Sequence, residues 1–521
     1  MFKSIGSNWI LNVVNLCVQL VLMRTVIRTI GVDLSGAWEN TVTATGYLTL
    51  LLLGVPMTSV RWFSRALAEK DLPKLNRAVA TCFGAYVILG AAAVIASGAF
   101  FAGFETWTIP KIALDATKAG VSPEAVCDAA RIGYAFMTVT IAGGFISQIP
   151  YAILVAHGDF GLRNLVMMGS LGVRLVATLV FVKKEPTALV ELGVVQLACV
   201  AFEWIVSYGV VRRKYPHVKI GLGGFDGGML KEILGFSVFV LLLNLGNKLV
   251  FQTSGLVLGW HEGTSLADVA AFEKAKSFVL PITEFVISIG AVVMPTAVKM
   301  KTENRVGDLK DVMLRWSKLA LGVALLPGLY LAVFGSDFFR AYIDLPDFDW
   351  RTAGRVQLVL LIAHFVFLPV RGVALPILTG IGSPRKATVA FLAAGIVNLG
   401  LSLVLLPMAG LDGVAYAMAA PLAGFAVYLL ALVCKELGLA PVRWIAYVFG
   451  AASFGSVVVV LAAIGIRAAF RPDTIGELVV AGVGYCAVFV IVWVTIVHRG
   501  DPHVDFFASL KSRLEQRRRA V

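Results

Sequence analysis

Long apolar stretches alternate with short polar connections along the whole chain. A run of roughly 20 apolar residues, helical at 1.5 Å per residue, crosses the hydrocarbon core of a bilayer. By that measure the pattern predicts fourteen helices, over about 9–30, 38–60, 78–104, 131–155, 165–182, 188–211, 233–257, 268–297, 316–339, 354–380, 388–407, 411–433, 445–466 and 477–497. The apolar positions run on without the every-second-residue alternation of a membrane barrel. Backbone groups away from water must then bond within their own segment, which leaves helices. The first run is too long and too polar for the apolar part of a cleaved signal, so it is expected to remain as the first span.

Composition fits this pattern. Hydrophobic residues make up 58% of the 521 positions and charged residues 15%, where a soluble domain has about 25% charged. The formal net charge of +13 points to nucleic acid until its placement is considered. Lys and Arg crowd into alternate connections, those on the side of the N-terminus. That imbalance places both termini in the cytoplasm. The basic tail, ending KSRLEQRRRAV (511–521), then reads as attraction to anionic lipid headgroups, with no nucleic-acid partner. The six cysteines have no metal-ligand spacing and only Cys127 falls in an expected outer loop, so neither a disulfide framework nor a metal site is expected.

An internal duplication is expected as well. LVAHGD (154–159) and LTGIGS (378–383) each end a proline-bearing helix, with Pro150 or Pro376, and each precedes a short turn. Pro56 and Pro295 each sit near the end of a helix followed by a charged loop, 62–77 or 299–315. These matches suggest that spans one to six repeat as spans seven to twelve in the same orientation, a transporter plan with substrate between the halves. The expected organisation is an N-terminal lobe over 1–214, a C-terminal lobe over 215–436, an accessory pair of helices over 437–500 and a cytoplasmic tail over 501–521.

Charges inside membrane helices cost about 2.5–3.5 kcal/mol on insertion scales and usually face a bundle interior or a wet cavity. Arg24 and Arg28 share one face of the first span, with Asn8, Asn12, Asn15 and Gln19 on the other; which face meets the cavity is open. Asn244, Lys248 and Gln252 follow one another at four-residue steps on the seventh span. Gln357, His364 and Arg371 recur every seven residues on the tenth. Arg174 and Glu203 are expected to pair within the N-terminal lobe, as are Glu273 and Lys276 on the eighth span. Glu284 is the acid nearest the midplane, a candidate proton carrier or a partner for Lys248. The excess of deep charge is cationic, and arginine grips phosphate oxygens bidentately. The expected substrate site is therefore a cationic cavity with Arg24, Arg28, Asn244, Lys248, Gln252, His364 and Arg371, and with Glu284 for ion coupling. No P-loop, HExxH or GxSxG context occurs, and GLGG (221–224) lies in a basic loop, so no cofactor and no enzymatic chemistry are expected.

The segments SNWILNVVNL (7–16), RTIGVDLSGAW (28–38), the basic loop at 61–77, Phe236–Ser237, LTGIGSPRKAT (378–388) and AGLDGVAYA (409–417) resemble those of the polysaccharide-exporter branch of the multidrug/oligosaccharidyl-lipid/polysaccharide transporter superfamily. The nearest likeness is to the Wzx-type O-antigen flippases. The resemblance implies two six-helix lobes around a central cavity that opens to alternate sides of the bacterial inner membrane. It implies a polyprenyl-diphosphate-linked oligosaccharide as substrate, for surface polysaccharide biosynthesis. A coupling ion (proton or sodium), membrane lipids, a glycan polymerase and chain-length proteins are the implied partners. The related lipid II flippases carry cavity arginines on their first helix, which Arg24 and Arg28 match approximately, and a further basic residue that Arg61 resembles. The multidrug branch carries an acid on its first or seventh helix, where this chain has Lys248. An ion-coupled multidrug exporter is the first alternative. A membrane glycan polymerase or ligase is the second, and the short connection at 105–130 argues against it.

Overall fold

The computed structural model describes residues 2–52, 54–118, 121–183, 187–383 and 385–501, with the side chains of 2–9, 57, 234–240, 291 and 306 outside the description. The end of the basic tail (511–521) and the side chains of Asn8, Phe236 and Ser237 thus lie outside the described residues. Packing divides the chain into two compact units, Met1–Ala270 and Ala271–Val521. This division falls later in the chain than the repeat boundary at 214–215, and it keeps the expected seventh span with the first unit.

The first unit contains α1 (Phe2–Ile30), α2 (Val32–Gly46), α3 (Val55–Ala68), α4 (Leu72–Gly103), α5 (Ile109–Lys118), α6 (Pro123–Ile146), α7 (Gln148–Ala156), α8 (Phe160–Phe181), α9 (Ala188–Lys214), α10 (Gly227–Phe251), α11 (Thr253–Trp260) and the start of α12 (Leu266–Ile287). The second contains the rest of α12, then α13 (Gly290–Thr302), α14 (Leu309–Ile343), α15 (Trp350–Gly380), α16 (Arg385–Leu437), α17 (Pro441–Phe470) and α18 (Ile475–Val492). Every element among the described residues is helical, and eleven helices are long and apolar enough to cross a membrane.

The differences from the fourteen expected spans have local causes. The second is interrupted: α2 stops at Gly46, Tyr47–Leu52 tightens into a 3-10 turn, and Gly54 takes a φ of +76° before α3. The seventh is divided at Gln252, whose φ of −121° ends α10 and begins α11. The eleventh and twelfth run together as α16, turned only at Gly410 with φ 57° and ψ −139°. That glycine lies in the connection expected between them, where a side chain would strain the backbone.

In the first unit α6 packs between α4 and α9, α1 lies on α8, and α3 pairs with α7. The approach of α6 to α9 depends on Gly133, where a Cβ would lie 2.7 Å from the Leu189 carbonyl oxygen. Two apolar clusters fill the unit. One holds Trp38, Phe104, Tyr134 and Leu256. The other holds Phe63, Tyr86, Phe145 and Ile153. Asp71 and Asp226 cap α4 and α10, their carboxylates accepting from backbone N–H groups of the first turn. Such caps satisfy donors that a helix start otherwise leaves unpaired.

Lys111 on α5 pins the end of α11. Its ammonium donates to the carbonyls of Gly259 at 2.9 Å and His261 at 2.6 Å. A cation at a helix C-terminus also complements the helix dipole. Asn40 holds the same helix from α2, donating to the Gly255 carbonyl at 2.8 Å while accepting from Thr108 at 2.9 Å.

The turns singled out as repeats close alike. After α7, Gly158 (φ +82°) is followed by a bond from Asp159 N–H to the Leu154 carbonyl at 2.8 Å. After α15, Gly382 (φ +79°) is followed by a bond from Ser383 N–H to the Leu378 carbonyl at 2.8 Å. The helices carrying Pro56 and Pro295 match in the same way. Lys70 and Asn304 both take left-handed φ, 55° and 53°, and the next N–H reaches back to Ala66 or Met300. These are Schellman closures, which satisfy the last carbonyls of a helix.

In the second unit α15 lies between α14 and α16, and α17 and α18 pack on α14. Arg467 pairs with Asp337 at 2.5 Å near one end of this contact. At the other end buried Lys318 pairs with Asp501, which also accepts from Tyr447 at 2.7 Å. Between them Tyr485 donates to the Leu326 carbonyl at 2.7 Å and Tyr330 to the Leu478 carbonyl at 2.8 Å.

Candidate substrate site

Four of the buried positions of α1, Val18, Leu22, Val26 and Ile30, repeat every four residues, and Ile27 widens the buried face beside them. At 100° per residue, Arg24 and Arg28 stand roughly opposite that stripe, and Asn15 and Gln19 stand on its side. Arg24 is half-buried and Arg28 exposed. The arginine pair therefore faces away from the core of the first unit. Gln19 turns to Asn15, a long contact of 3.4 Å.

Lys248 and Gln252 sit at the break between α10 and α11. The lysine ammonium donates to the Gln252 amide oxygen at 2.6 Å. Tyr47 at the end of α2 braces the break, its hydroxyl 3.3 Å from the Lys248 carbonyl and 2.7 Å from the Thr253 hydroxyl. Room for both side chains comes from Gly46, where a Cβ would lie 3.2 Å from the Gln252 amide oxygen and 3.7 Å from the Lys248 nitrogen. Among the described residues of the first unit, no carboxylate lies within ion-pair distance of Lys248. Asn244, one turn back, is exposed. Lys248 and Gln252 keep the four-residue spacing expected of them, joined also by the bond from Gln252 N–H to the Lys248 carbonyl at 2.8 Å, and the helix breaks just after them. Sequence periodicity has no sign of this break, because Gln252 and Thr253 are ordinary helix residues.

The expected pair of Arg174 and Glu203 does not form. Arg174 has Cys199 and Glu39 within electrostatic reach, and Glu203 has Tyr151 and Arg163. Cys199 lies between the two groups. The pair of Glu273 and Lys276 does form, buried, at 2.6 Å.

In the second unit His364 and Arg371 lie inside the unit, 1% and 8% exposed. His364 Nδ1 is 2.7 Å from the Leu360 carbonyl. The Arg371 guanidinium lies beside the Phe367 and Phe391 rings, 5.8 and 5.5 Å from their centroids, while the two rings stack on each other at 6.4 Å. Gln357, two turns before His364, is fully buried and packs against Gly335, with neither amide atom hydrogen-bonded. Glu284 is exposed on this unit, within electrostatic reach of Arg371. The structure therefore brings Lys248 and Gln252 together in one unit, and His364, Arg371 and Glu284 in the other.

No protein-family model matches the chain, and no curated protein matches it. Solved structures do. The lipid II flippase MurJ in an inward closed conformation is 14% identical, over 95% of this chain and 99% of that one, with a TM-score of 0.67. An inward-facing multidrug resistance MATE family transporter of the MOP superfamily is 16% identical, over 81% of this chain and 94% of that one, with a TM-score of 0.63. A MOP superfamily transporter from Pyrococcus furiosus, described as having a binding pocket of reversed polarity, is 15% identical over 84% of this chain and 96% of that one, with a TM-score of 0.54. The chain has the all-helical fold of these membrane transporters and flippases.

Proposed function

We propose that the chain is a transporter of the MOP superfamily that flips a polyprenyl-diphosphate-linked oligosaccharide across the bacterial inner membrane by alternating access. The observation that carries this reading is Lys248. It is a cation at a mid-span helix break, held by a neutral amide, with no carboxylate among the described residues of its own unit to cancel it. Broken membrane helices place their free ends at substrate sites in transporters. A cation left there favours an anion over a cationic drug. Arg24 and Arg28, turned away from the core of the first unit, are the natural second contact for a diphosphate. In the second unit His364, Arg371 and Glu284 stay candidates in our reading, Arg371 as a further cationic contact and Glu284 for ion coupling.

The extent of the fold match supports a lipid-linked substrate. The flippase match covers 95% of the chain, and the drug-transporter matches cover 81% and 84%. We assign the repeat halves to 1–214 and 215–436, the accessory pair to 437–500 and the tail to 501–521, with both termini cytoplasmic. The paired Schellman closures support the duplication. An ion-coupled drug exporter is the second reading, supported by the drug-transporter matches.

The test is to delete the gene and identify what accumulates. A lipid-linked oligosaccharide held on the cytoplasmic side, relieved by the wild-type chain and not by Arg24→Ala or Lys248→Ala at normal protein levels, is the expected result. Drug sensitivity without such an intermediate would favour the exporter. Full export by both variants would remove the cationic site.

A further inference from the structure

In the first unit a single π turn, Phe104–Thr108, joins α4 to α5. Such turns are rare and recur at functional sites. This one carries Trp107, whose indole stacks on Trp260 at the end of α11, with 5.3 Å between centroids and 29° between planes. The Trp260 ring beds in turn on Gly103, where a Cβ would lie 2.9 Å from it. Trp107 is thus backed by a second ring, yet it stays 38% exposed. A tryptophan that only anchors a helix at the membrane surface needs no such backing. The rings continue from Trp260 to Phe100 at 6.4 Å and from Phe100 to Tyr47 at 5.8 Å. Tyr47 is the residue that braces the Lys248 break. Polar groups flank the plate. Lys111, one turn on from Trp107, draws the 261–264 turn towards α5 through its bond to the His261 carbonyl. Glu262 on that turn is exposed and lies within electrostatic reach of Lys111.

We propose that the exposed Trp107 ring binds a pyranose, with the Glu262 carboxylate accepting from its hydroxyls. The C–H bonds on one face of a pyranose carry slight positive charge and suit the negative face of an indole. The hydroxyls at its edge need acceptors, which a carboxylate supplies. A rigid aromatic plate beside an acid fits this two-sided chemistry better than it fits a lipid chain, which has no use for the acid. That the sugar belongs to the exported glycan rests on the flippase reading, because the column of rings leads to the lysine assigned there to the diphosphate.

The experiment places the full chain in a lipid nanodisc, free of sugar-headed detergent, and follows saturation-transfer NMR. The probes are maltotriose, chitotriose and the acyclic polyol sorbitol. Stacking reads a face that pyranoses share, so both trisaccharides are expected to bind through their ring C–H protons, and sorbitol is not. Trp107→Leu, which still covers Trp260, is expected to weaken binding about tenfold. Trp107→Phe should keep most of it. Glu262→Gln should weaken it about threefold, and because Glu262 is exposed its variant reports on binding independently of the ring packing. Wild-type affinity in both Trp107→Leu and Glu262→Gln, equal binding of sorbitol, or no binding of either trisaccharide overturns the proposal and leaves Trp107 an interface anchor. The assay holds no lipid diphosphate and reads no export, so its failure leaves the export test standing. Sugar binding without an accumulated lipid-linked glycan would keep this site and remove the flippase reading.

Discussion

In the last turn of α10, the Lys248 ammonium lies 2.6 Å from the Gln252 amide oxygen. An amide can hold a cation in place without neutralising it. The first prediction separates charge from structure. Lys248→Met keeps the stem length and drops the charge. Removing a half-buried charge that has no carboxylate partner in the described first unit lifts a desolvation cost from the fold. The unfolding temperature in detergent should hold or rise while glycan export is lost. Lys248→Arg should retain part of the export. Loss of stability in step with loss of export in Lys248→Met would make the lysine structural.

Asn40 and Gly259 test how α11 is held. A Cβ at position 259 would lie 1.8 Å from the Asn40 amide nitrogen. Gly259→Ala should cost about 1–3 kcal/mol by overpacking. Asn40→Ala should cost a similar amount, because it leaves buried hydrogen-bonding groups unpaired. The double variant should be less destabilised than the sum, since removing the asparagine opens the space the new methyl needs. Chemical or thermal unfolding of all four proteins gives the coupling, and strict additivity would contradict the contact.

A third prediction concerns the buried pair of Lys318 and Asp501. Removing one member strands the other charge, at a cost of about 3–5 kcal/mol. Lys318→Ala should therefore loosen α17 and α18, seen as faster proteolysis within 441–501. Joint replacement as Lys318→Met with Asp501→Leu should recover most of the lost stability. Equal damage in the single and joint variants would show that the pair's hydrogen bonds, Tyr447 included, matter more than its charge.

The fourth is a pH dependence at the turn after α7. Burial alone would raise the Asp159 carboxyl, but hydrogen bonds from the Lys214 ammonium and the Tyr215 hydroxyl outweigh it and hold the group below its usual value. A carboxyl lowered in the folded state adds stability above its unfolded value, and that stability is lost as the pH falls through the folded one. Asp159→Asn should lose about 1 kcal/mol at neutral pH. Its difference from wild type should shrink as the pH drops below about 4. A difference that persists unchanged in acid would assign the effect to packing.

Much of this fold is readable in the chain because membrane helices announce themselves by length and hydropathy. The turns at Gly158 and Gly382 were legible too, since few residues tolerate positive φ. The breaks at Tyr47–Leu52 and Gln252 were not. Gln252 is no breaker, the glycines that flank Tyr47–Leu52 do not by themselves call for a 3-10 turn, and both breaks depend on contacts between elements far apart in sequence, such as Tyr47 with Thr253. The same holds for Arg174 and Glu203. Spacing places both on adjacent helices, yet which acid meets which base is set by helix rotation.

The anchoring of α11 has a mechanical consequence. Lys111, Asn40 and Tyr47 fasten that short helix, whereas α10 extends 25 residues beyond the break, about 37 Å of lever arm. A tilt of about 10° pivoting at Gln252 would sweep its far end by about 6 Å, at the expense of the contact from Asp226 N–H to the Thr81 hydroxyl. Lys248 sits one turn from the fulcrum and would scarcely travel. A ligand clasped there could steer a large swing without itself being dragged along.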